Sequence, residues 1–379
     1  MRNILYITGT RADYGIIGNL LKKADKNPEF QVKIIVTGMH VMKKFGMSMN
    51  EIKKDNLDLI KIDCRFDKDD ASSMLFFLAK FTEKLTREII RLKPDFLLVL
   101  GDRVEALCGA IVGSYLSVPV VHFHGGELSS NIDDSVRHAI TKLSHLHLCA
   151  TEKSAERIIK MGEYPYRVRV IGSLSLENIR SMKLIPKSQL CKMLELKSNE
   201  PIVLVLQHPV TLEEKESYIQ MFNTLEAIKQ LDYQAVIVHP NSDPGHNGII
   251  KAINIYKSHK RFKIRVNLDY QSFVSLMSIV DIMVGNSSSG IIEAPYFKLP
   301  VVNIGSRQNG RERAGNVIDS TYNIRDIKKS ILHCLSKRFK NKIKYIRNPY
   351  DKGDSSEIVL NMLNTIRIDK KLLQKTLSY

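Results

Sequence analysis

Short apolar runs alternate with longer amphipathic stretches along almost the whole chain. In the first half the runs are NILYIT (3–8), VKIIVTG (32–38), LDLIKID (57–63), DFLLVLG (95–101), VPVVHF (118–123), LHLCA (146–150) and RVRVIG (167–172). Stretches with helical spacing, such as YGIIGNLLKKADK and SSMLFFLAKFTEKLTREIIRL, fall between most of them. Runs buried on both faces and separated by helices imply a parallel sheet with right-handed crossovers. The pattern breaks over residues 182–200, a charged stretch with Pro186 inside it and Pro201 just after it. It restarts with IVLVLQ (202–207), QAVIVHP (234–240), FKIRVN (262–267), DIMVGN (281–286) and PVVNIG (300–305). The expectation is α/β: two doubly wound domains in tandem, 1–182 and 183–365. Ligands of such sheets sit at the carboxyl ends of the strands, and two domains suggest a cleft facing both. There is no low-complexity segment and no short repeat.

Composition narrows the class. A chain of 379 residues suits two domains, and 44% hydrophobic with 26% charged residues is the balance of a soluble globular protein. No run reaches the ~18 apolar residues of a membrane helix. MRNILYITGT runs straight into RADYG and reads as a first strand, not a signal peptide. Cys64, Cys108, Cys149, Cys191 and Cys334 are scattered without a CxxC, which argues against zinc and a disulfide framework and points to the cytoplasm. A net charge of +17 would attract nucleic acid, anionic membrane or phosphorylated small molecules. Much of the excess lies in 325–352, which has little aromatic interleaving and no nucleic-acid motif, so it reads as a solvated basic helix face.

The polar motifs have a common address. GTRADYG, GDR, HGGE, QHPVT, HPNSD, GNSSSG and GSRQNGRER each follow an apolar run, whereas random polar loops would be spread over both strand ends. GNSSSGIIEAP offers helix N-terminal N–H groups and the Ser287 and Ser288 hydroxyls to a phosphate, more than a simple N-cap needs. Glu293, about two helical turns past Ser287, would then accept from a ribose. GTRADYG is neither a Walker A loop nor GxGxxG; Arg11 reaches a phosphate or pairs with a carboxylate, and Asp13 caps the next helix or joins the site. In GDR, Asp102 is a base or orienting carboxylate with a pKa raised by partial burial, or a turn aspartate beside a surface Arg103.

HFHGGELSSNIDDSVRHAI supplies His124, Glu127, Asp133 and Asp134, although one aspartate is accounted for as a helix cap. Its two glycines suggest close backbone approach to a ligand. His208 in QHPVT is a proton donor or a phosphate contact. GSRQNGRER carries Arg307, Gln308, Arg311 and Arg313; its arginines bind phosphate bidentately or pair with acids. Acids in the first domain and a phosphate grip in the second fit a nucleoside-diphosphate-linked substrate.

In this order the motifs resemble the hydrolysing UDP-N-acetylglucosamine 2-epimerases of sialic-acid- and legionaminic-acid-type sugar biosynthesis, over residues 1 to about 320. The resemblance implies two Rossmann-like domains of glycosyltransferase-B type, with a C-terminal helix, 366–379 within NMLNTIRIDKKLLQKTLSY (361–379), that packs back on the first domain. It implies that a base removes the sugar C2 proton, UDP leaves C1 to give a glycal, and water adds at C1 as C2 is reprotonated from the other face. The products are UDP and a manno-configured sugar, N-acetylmannosamine when the substrate is UDP-N-acetylglucosamine. The alternative substrate is UDP-2,4-diacetamido-2,4,6-trideoxy-glucose.

Asp102, Asp133 and His208 match catalytic positions of the family, and Arg11, Arg103, Asn241, Ser287, Ser288, Glu293 and Arg307 match UDP-contacting ones. Asp13, Gln308 and Arg313 are further substrate-binding candidates. Many members read HxEGGE, with a catalytic first glutamate; here that position is His124, so His124 and Glu127 both stand as candidates for its role. No metal or other cofactor, no nucleic acid and no membrane is implied, and a homodimer or homotetramer is. Two other readings compete. A UDP-sugar glycosyltransferase of the same fold would release little UDP without an acceptor. A basic nucleic-acid binder explains the charge but not the acids at strand ends.

Overall fold

The apolar runs fold as parallel strands in two separate sheets. The computed structural model describes every residue except 44–45, 67–70, 129–132 and 242, and every side chain except those and 71, 133 and 211. The chain divides into two compact units: Met1–Glu127, Ile132–Asn178 and Tyr350–Tyr379 form the first, and Ile179–Pro349 the body of the second.

The first unit holds β1 (Arg2–Thr8), β2 (Phe30–Val36), β3 (Asp58–Lys61), β4 (Phe96–Leu100), β5 (Val120–Phe123), β6 (Leu146–Cys149) and β7 (Val168–Val170). Their order is β3-β2-β1-β4-β5-β6-β7, all parallel. Period-2 alternation puts Ile4 and Tyr6 of β1 into one core and Leu5 and Ile7 into another. The helix Arg11–Asp25 covers the first face with Ile17, Leu20, Leu21 and Ala24. The helix Ala71–Leu92 covers the second with Phe77, Phe81, Leu85 and Ile89, a four-residue spacing that keeps one stripe inward.

The second unit holds β8 (Ile202–Leu206), β9 (Gln234–Val238), β10 (Phe262–Arg265), β11 (Ile282–Gly285), β12 (Val301–Ile304) and β13 (Val317–Ser320). The order is β10-β9-β8-β11-β12-β13, again parallel. β13 is absent from the strands read in the sequence. It is a half-buried edge strand carrying Asp319, so it lacks the continuous apolar run that marks its neighbours. Each sheet reverses its order once, between β1 and β4 and between β8 and β11. These reversals are the topological switch points at which doubly wound sheets bind ligands.

Two expectations about the C-terminal half are corrected. The chain rejoins the first unit at Tyr350, not at 366, because Val359 and Leu363 of the helix Ser355–Thr365 bury in the first core. The last stretch is also not one helix. It breaks after Thr365 and resumes only as Lys370–Leu373, capped by Asp369. Side chains of the first unit take up the carbonyls this break exposes: Arg2 donates to Ile366 O at 2.8 Å, and the buried Arg167 to Lys371 O at 2.6 Å and Leu372 O at 2.8 Å. Among the described residues no helix is long and apolar enough to cross a membrane.

Candidate active site

At the β1 end, Thr10 caps the helix Arg11–Asp25 and forms a capping box with Asp13. Asp13 is therefore the cap the motif suggested, but it is also buried. Its Oδ2 accepts from Gly9 N and Thr10 N at 3.1 Å, and its Oδ1 accepts from the Thr8 hydroxyl. Burial raises its pKa to about 6, with the Glu105 carboxylate adding to the rise. Thr8 Oγ1 also lies 2.9 Å from His40 Nε2, and the His40 Nδ1 lies 2.7 Å from Ser48 Oγ. Arg11 pairs with Glu51 at 2.6 Å, and both side chains remain exposed.

At the β4 end, Gly101 turns with φ +74° and delivers Asp102 and Arg103. Arg103 Nε donates to Glu105 Oε2 at 3.2 Å. Glu105 is 3% exposed and wedged where a Cβ on Gly9 or Gly38 would collide with it. The sequence reading stopped at GDR and missed Glu105. The available signal was an acid opening the otherwise apolar helix VEALCGAIVGSY.

Asp102 is partly buried and has a partner. It accepts a hydrogen bond from Arg137 Nη2, and the Arg137 side chain is itself buried. The other guanidinium nitrogen lies 3.4 Å from His124 O and 3.7 Å from Glu127 Oε2. Arg137 thus gathers Asp102, His124 and Glu127 into one cluster, with His124 Nδ1 3.1 Å from Glu127 Oε1. Nothing in IDDSVRHAI distinguished Arg137 from a surface arginine.

Beneath the cluster, the fully buried His122 donates from Nε2 to Gly101 O at 2.7 Å, and its Nδ1 faces Thr141 Oγ1 at 3.3 Å. Burial holds His122 near pKa 3, so this ring is neutral and fixes the turn before Asp102. Asp133 begins the helix Asp133–Leu143, but its side chain lies outside the described residues.

At the second switch point the groups are mostly amides and hydroxyls. Asn286, 1% exposed, bridges the ends of β8 and β11. Its Oδ1 accepts from His208 N at 2.7 Å and its Nδ2 donates to His208 O at 2.8 Å. It sat inside the GNSSSG motif, overlooked beside the serines. Gly285 precedes it with φ +140°, and a Cβ there would strike the Leu206 carbonyl. Asn286 O in turn accepts from Arg307 Nη1 at 3.2 Å and Gln308 Nε2 at 2.8 Å.

His208 Nδ1 accepts from Asn241 N at 3.0 Å, which leaves its ring hydrogen on Nε2. Burial, aided by the Arg307 charge, holds His208 near pKa 3. It is a neutral donor rather than a proton shuttle at neutral pH. Arg307, Asn241 and Asp243 also meet: Asp243 Oδ2 is 2.5 Å from Asn241 Nδ2 and 4.0 Å from an Arg307 nitrogen.

Ser287 is buried and accepts from Ser289 N at 3.3 Å, while Ser288 precedes the helix Ser289–Ile292 without a side-chain cap bond. That helix is a single turn, so Glu293 is not two helical turns along. It sits at the junction with the 3₁₀ turn Ala294–Phe297, where Pro295 stops the helix. Glu293 is close enough to Tyr270 to push its phenol up, in addition to burial. Arg313 is committed elsewhere, to Asp319 of β13 at 2.5 Å and Gln308 O at 2.9 Å.

Two parallel α/β units, each with its polar groups at a switch point, are the architecture of the glycosyltransferase-B type. The solved structure of UDP-GlcNAc 2-epimerase from Neisseria meningitidis bound to UDP-GlcNAc shares this fold: TM-score 0.81 at 21% identity, over 95% of this chain and 99% of that one. The family model for UDP-N-acetylglucosamine 2-epimerase matches residues 22–364. The chain belongs to that family and is an enzyme of the UDP-sugar 2-epimerase class. A UDP-N,N'-diacetylbacillosamine 2-epimerase (hydrolyzing) of Legionella pneumophila is 38% identical over 387 residues, covering 100% of both chains. A UDP-N-acetylglucosamine 2-epimerase of Neisseria meningitidis serogroup B is 35% identical over 331 residues, 86% of each.

Proposed function

We propose that the chain is a hydrolysing 2-epimerase of a UDP-linked 2-acetamido sugar, releasing UDP and the free manno-configured sugar. The observation that carries this reading is the cluster of Asp102, His124 and Glu127 around Arg137, buried except for the partly exposed Asp102. A carboxylate, an imidazole and a guanidinium are a costly set to bury for structural purposes alone, and with Asp102 beside them they suit removal and return of a carbon-bound proton. Asp102 and Asp133 are assigned to proton transfer. Arg307, Ser287, Ser288, Asn241 and the Nε2–H of His208 are assigned to UDP, with Glu293 on the ribose and Arg11 and Arg103 on the diphosphate. A cationic and N–H-rich surround stabilises the charge that develops as the diphosphate leaves.

For the sugar, UDP-2,4-diacetamido-2,4,6-trideoxy-glucose is placed first, because the relative acting on that class matches the whole chain at 38% identity. UDP-N-acetylglucosamine is second, supported by the 35% identical relative over 86% of the chain. The test is ¹H NMR of the purified protein in D₂O with each UDP-sugar separately, without an acceptor and with EDTA. The expected result is UDP plus a free sugar carrying deuterium at C2, faster from the diacetamido substrate. Release of UDP only when a sugar acceptor is added would replace epimerisation by glycosyl transfer.

A further inference from the structure

We infer that His124 Nε2 is the atom that takes the sugar C2 proton, and that Glu127 is a positioning residue that sets the tautomer of the ring. This rests on the epimerase reading above and divides the labour between two residues that the motif leaves equivalent.

His124 is held in an unusual state. Its backbone lies in the left-handed region at φ +59°, which is unfavourable for a non-glycine residue. Its N–H still joins the sheet, donating to Leu148 O at 2.9 Å, so the residue is pinned there by β6. The side chain is 8% exposed. Nε2 is buried and has no hydrogen-bond partner among the described residues. A buried polar atom without a partner is itself unfavourable, and two penalties on one residue mark a place kept for a ligand.

The tautomer follows from electrostatics. Nδ1 stands 3.1 Å from Glu127 Oε1, an ion-pair distance whose alignment falls short of a formed hydrogen bond. Such contacts tighten when a substrate is bound. A carboxylate oxygen at that distance stabilises a hydrogen on Nδ1 and destabilises a lone pair there, so the ring hydrogen belongs on Nδ1. The lone pair then lies on Nε2, the atom without a partner.

Glu127 cannot as readily be the acceptor. One oxygen faces the imidazole and the other is 3.7 Å from Arg137, so its charge already serves two cationic or polar neighbours. Asp102 is likewise engaged by Arg137.

The step balances. The C2–H bond breaks and its proton goes to Nε2, giving an imidazolium beside Glu127. The C–H electron pair becomes the C1–C2 π bond, and the C1–O bond breaks with its electrons leaving on UDP. Water then adds its oxygen at C1 as a second group protonates C2 from the other face, the proton that water loses restores that group, and the imidazolium returns its proton to solvent.

The experiment has two arms on the full chain. Long-range ¹H–¹⁵N spectra of ¹⁵N-histidine-labelled protein, with His124 assigned by its loss in His124→Gln, read the tautomer without any substrate. Nδ1–H with bare Nε2 is expected, moving toward Nε2–H in Glu127→Gln. UDP release from both UDP-sugars is then measured. His124→Gln is expected to lose about 10²–10⁴-fold in kcat with the UDP Kd unchanged. Glu127→Gln should lose less, and His124→Glu should recover part of the loss, which also serves if His124→Gln folds poorly. An Nε2–H tautomer in the unmodified protein, or a larger loss in Glu127→Gln than in His124→Gln, overturns the assignment. If the unmodified protein releases UDP from neither sugar, the functional reading fails and the proton-transfer role falls with it, while the spectra still report the dyad.

Discussion

At the β1/β4 switch point the lining is ionic: Asp13, Arg103 and Glu105 in contact range, with Asp102 drawn to Arg137 beside them. At the β8/β11 switch point a neutral amide, Asn286, holds the two strand ends, and Gln308, Ser287 and a neutral His208 surround it with Arg307 as the cation. The histidines differ in the same sense. His208 presents a hydrogen outward because Asn241 occupies its Nδ1. His124, on the tautomer inferred above, presents a lone pair. The same topology thus builds two kinds of mouth. One holds an acid, Asp13, that burial raises to about 6; the other is lined mainly by neutral hydrogen-bonding groups.

The comparison breaks first at Asp102. Asp102→Asn keeps the shape but loses the charge that Arg137 pairs with, and kcat is expected to fall about 10³-fold with the UDP Kd held within about twofold. Asp133→Asn should behave in the same way. Steady-state kinetics with isothermal titration of UDP checks both, and near-normal rates in the pair would remove these two aspartates from proton transfer. The complementary change is Arg307→Ala, expected to weaken UDP about 10–100-fold, the worth of a lost charge-assisted hydrogen bond, with a smaller effect on kcat. An unchanged Kd would move the phosphate site away from β12.

A third contrast is in acid stability. Burial pushes His40, His145 and His147 to about 4 and His122 to about 3, all in the first unit. The folded form refuses protons that the unfolded chain accepts. Each histidine therefore leaves stability intact above about pH 6.5 and removes up to about 1.4 kcal/mol per pH unit as pH falls toward 4. Asp13, raised to about 6 by burial, has the opposite sign between about pH 6 and 4 and offsets one of the four. The second unit has His208 near 3 and a lowered His239. Hydrogen exchange followed from pH 7 to 4.5 should show β4–β6 losing protection before β8–β12. Equal loss in both would mean that the buried histidines do not set the acid limit. The smallest effect is expected from Arg313→Ala, whose guanidinium already serves Asp319 and Gln308. UDP affinity by titration should change by less than about twofold, and a tenfold loss would return Arg313 to the binding set.

The sequence by itself determined the two-sheet class, most strand positions and the strand-end address of the motifs. The reason is local: a strand buried on both faces must be apolar at successive positions, and the first polar residue after it marks its carboxyl end. It also placed Arg307, Asn241, Ser287 and His208 together on one side and Asp102, His124 and Glu127 on the other, through shared strand ends. What it did not contain was the order of the strands. That order makes β1 and β4 neighbours, and so sets Glu105 against Gly9 and Asp13. It makes β8 and β11 neighbours, and so gives Asn286 its two bonds to His208. The tertiary structure alone decided that Arg137 turns inward to Asp102, that Arg11 turns to Glu51, and that the chain returns to the first unit at Tyr350. Each is a contact between groups distant in sequence, made favourable by the charge or carbonyl that folding places opposite. No pattern within a single element records such a partner.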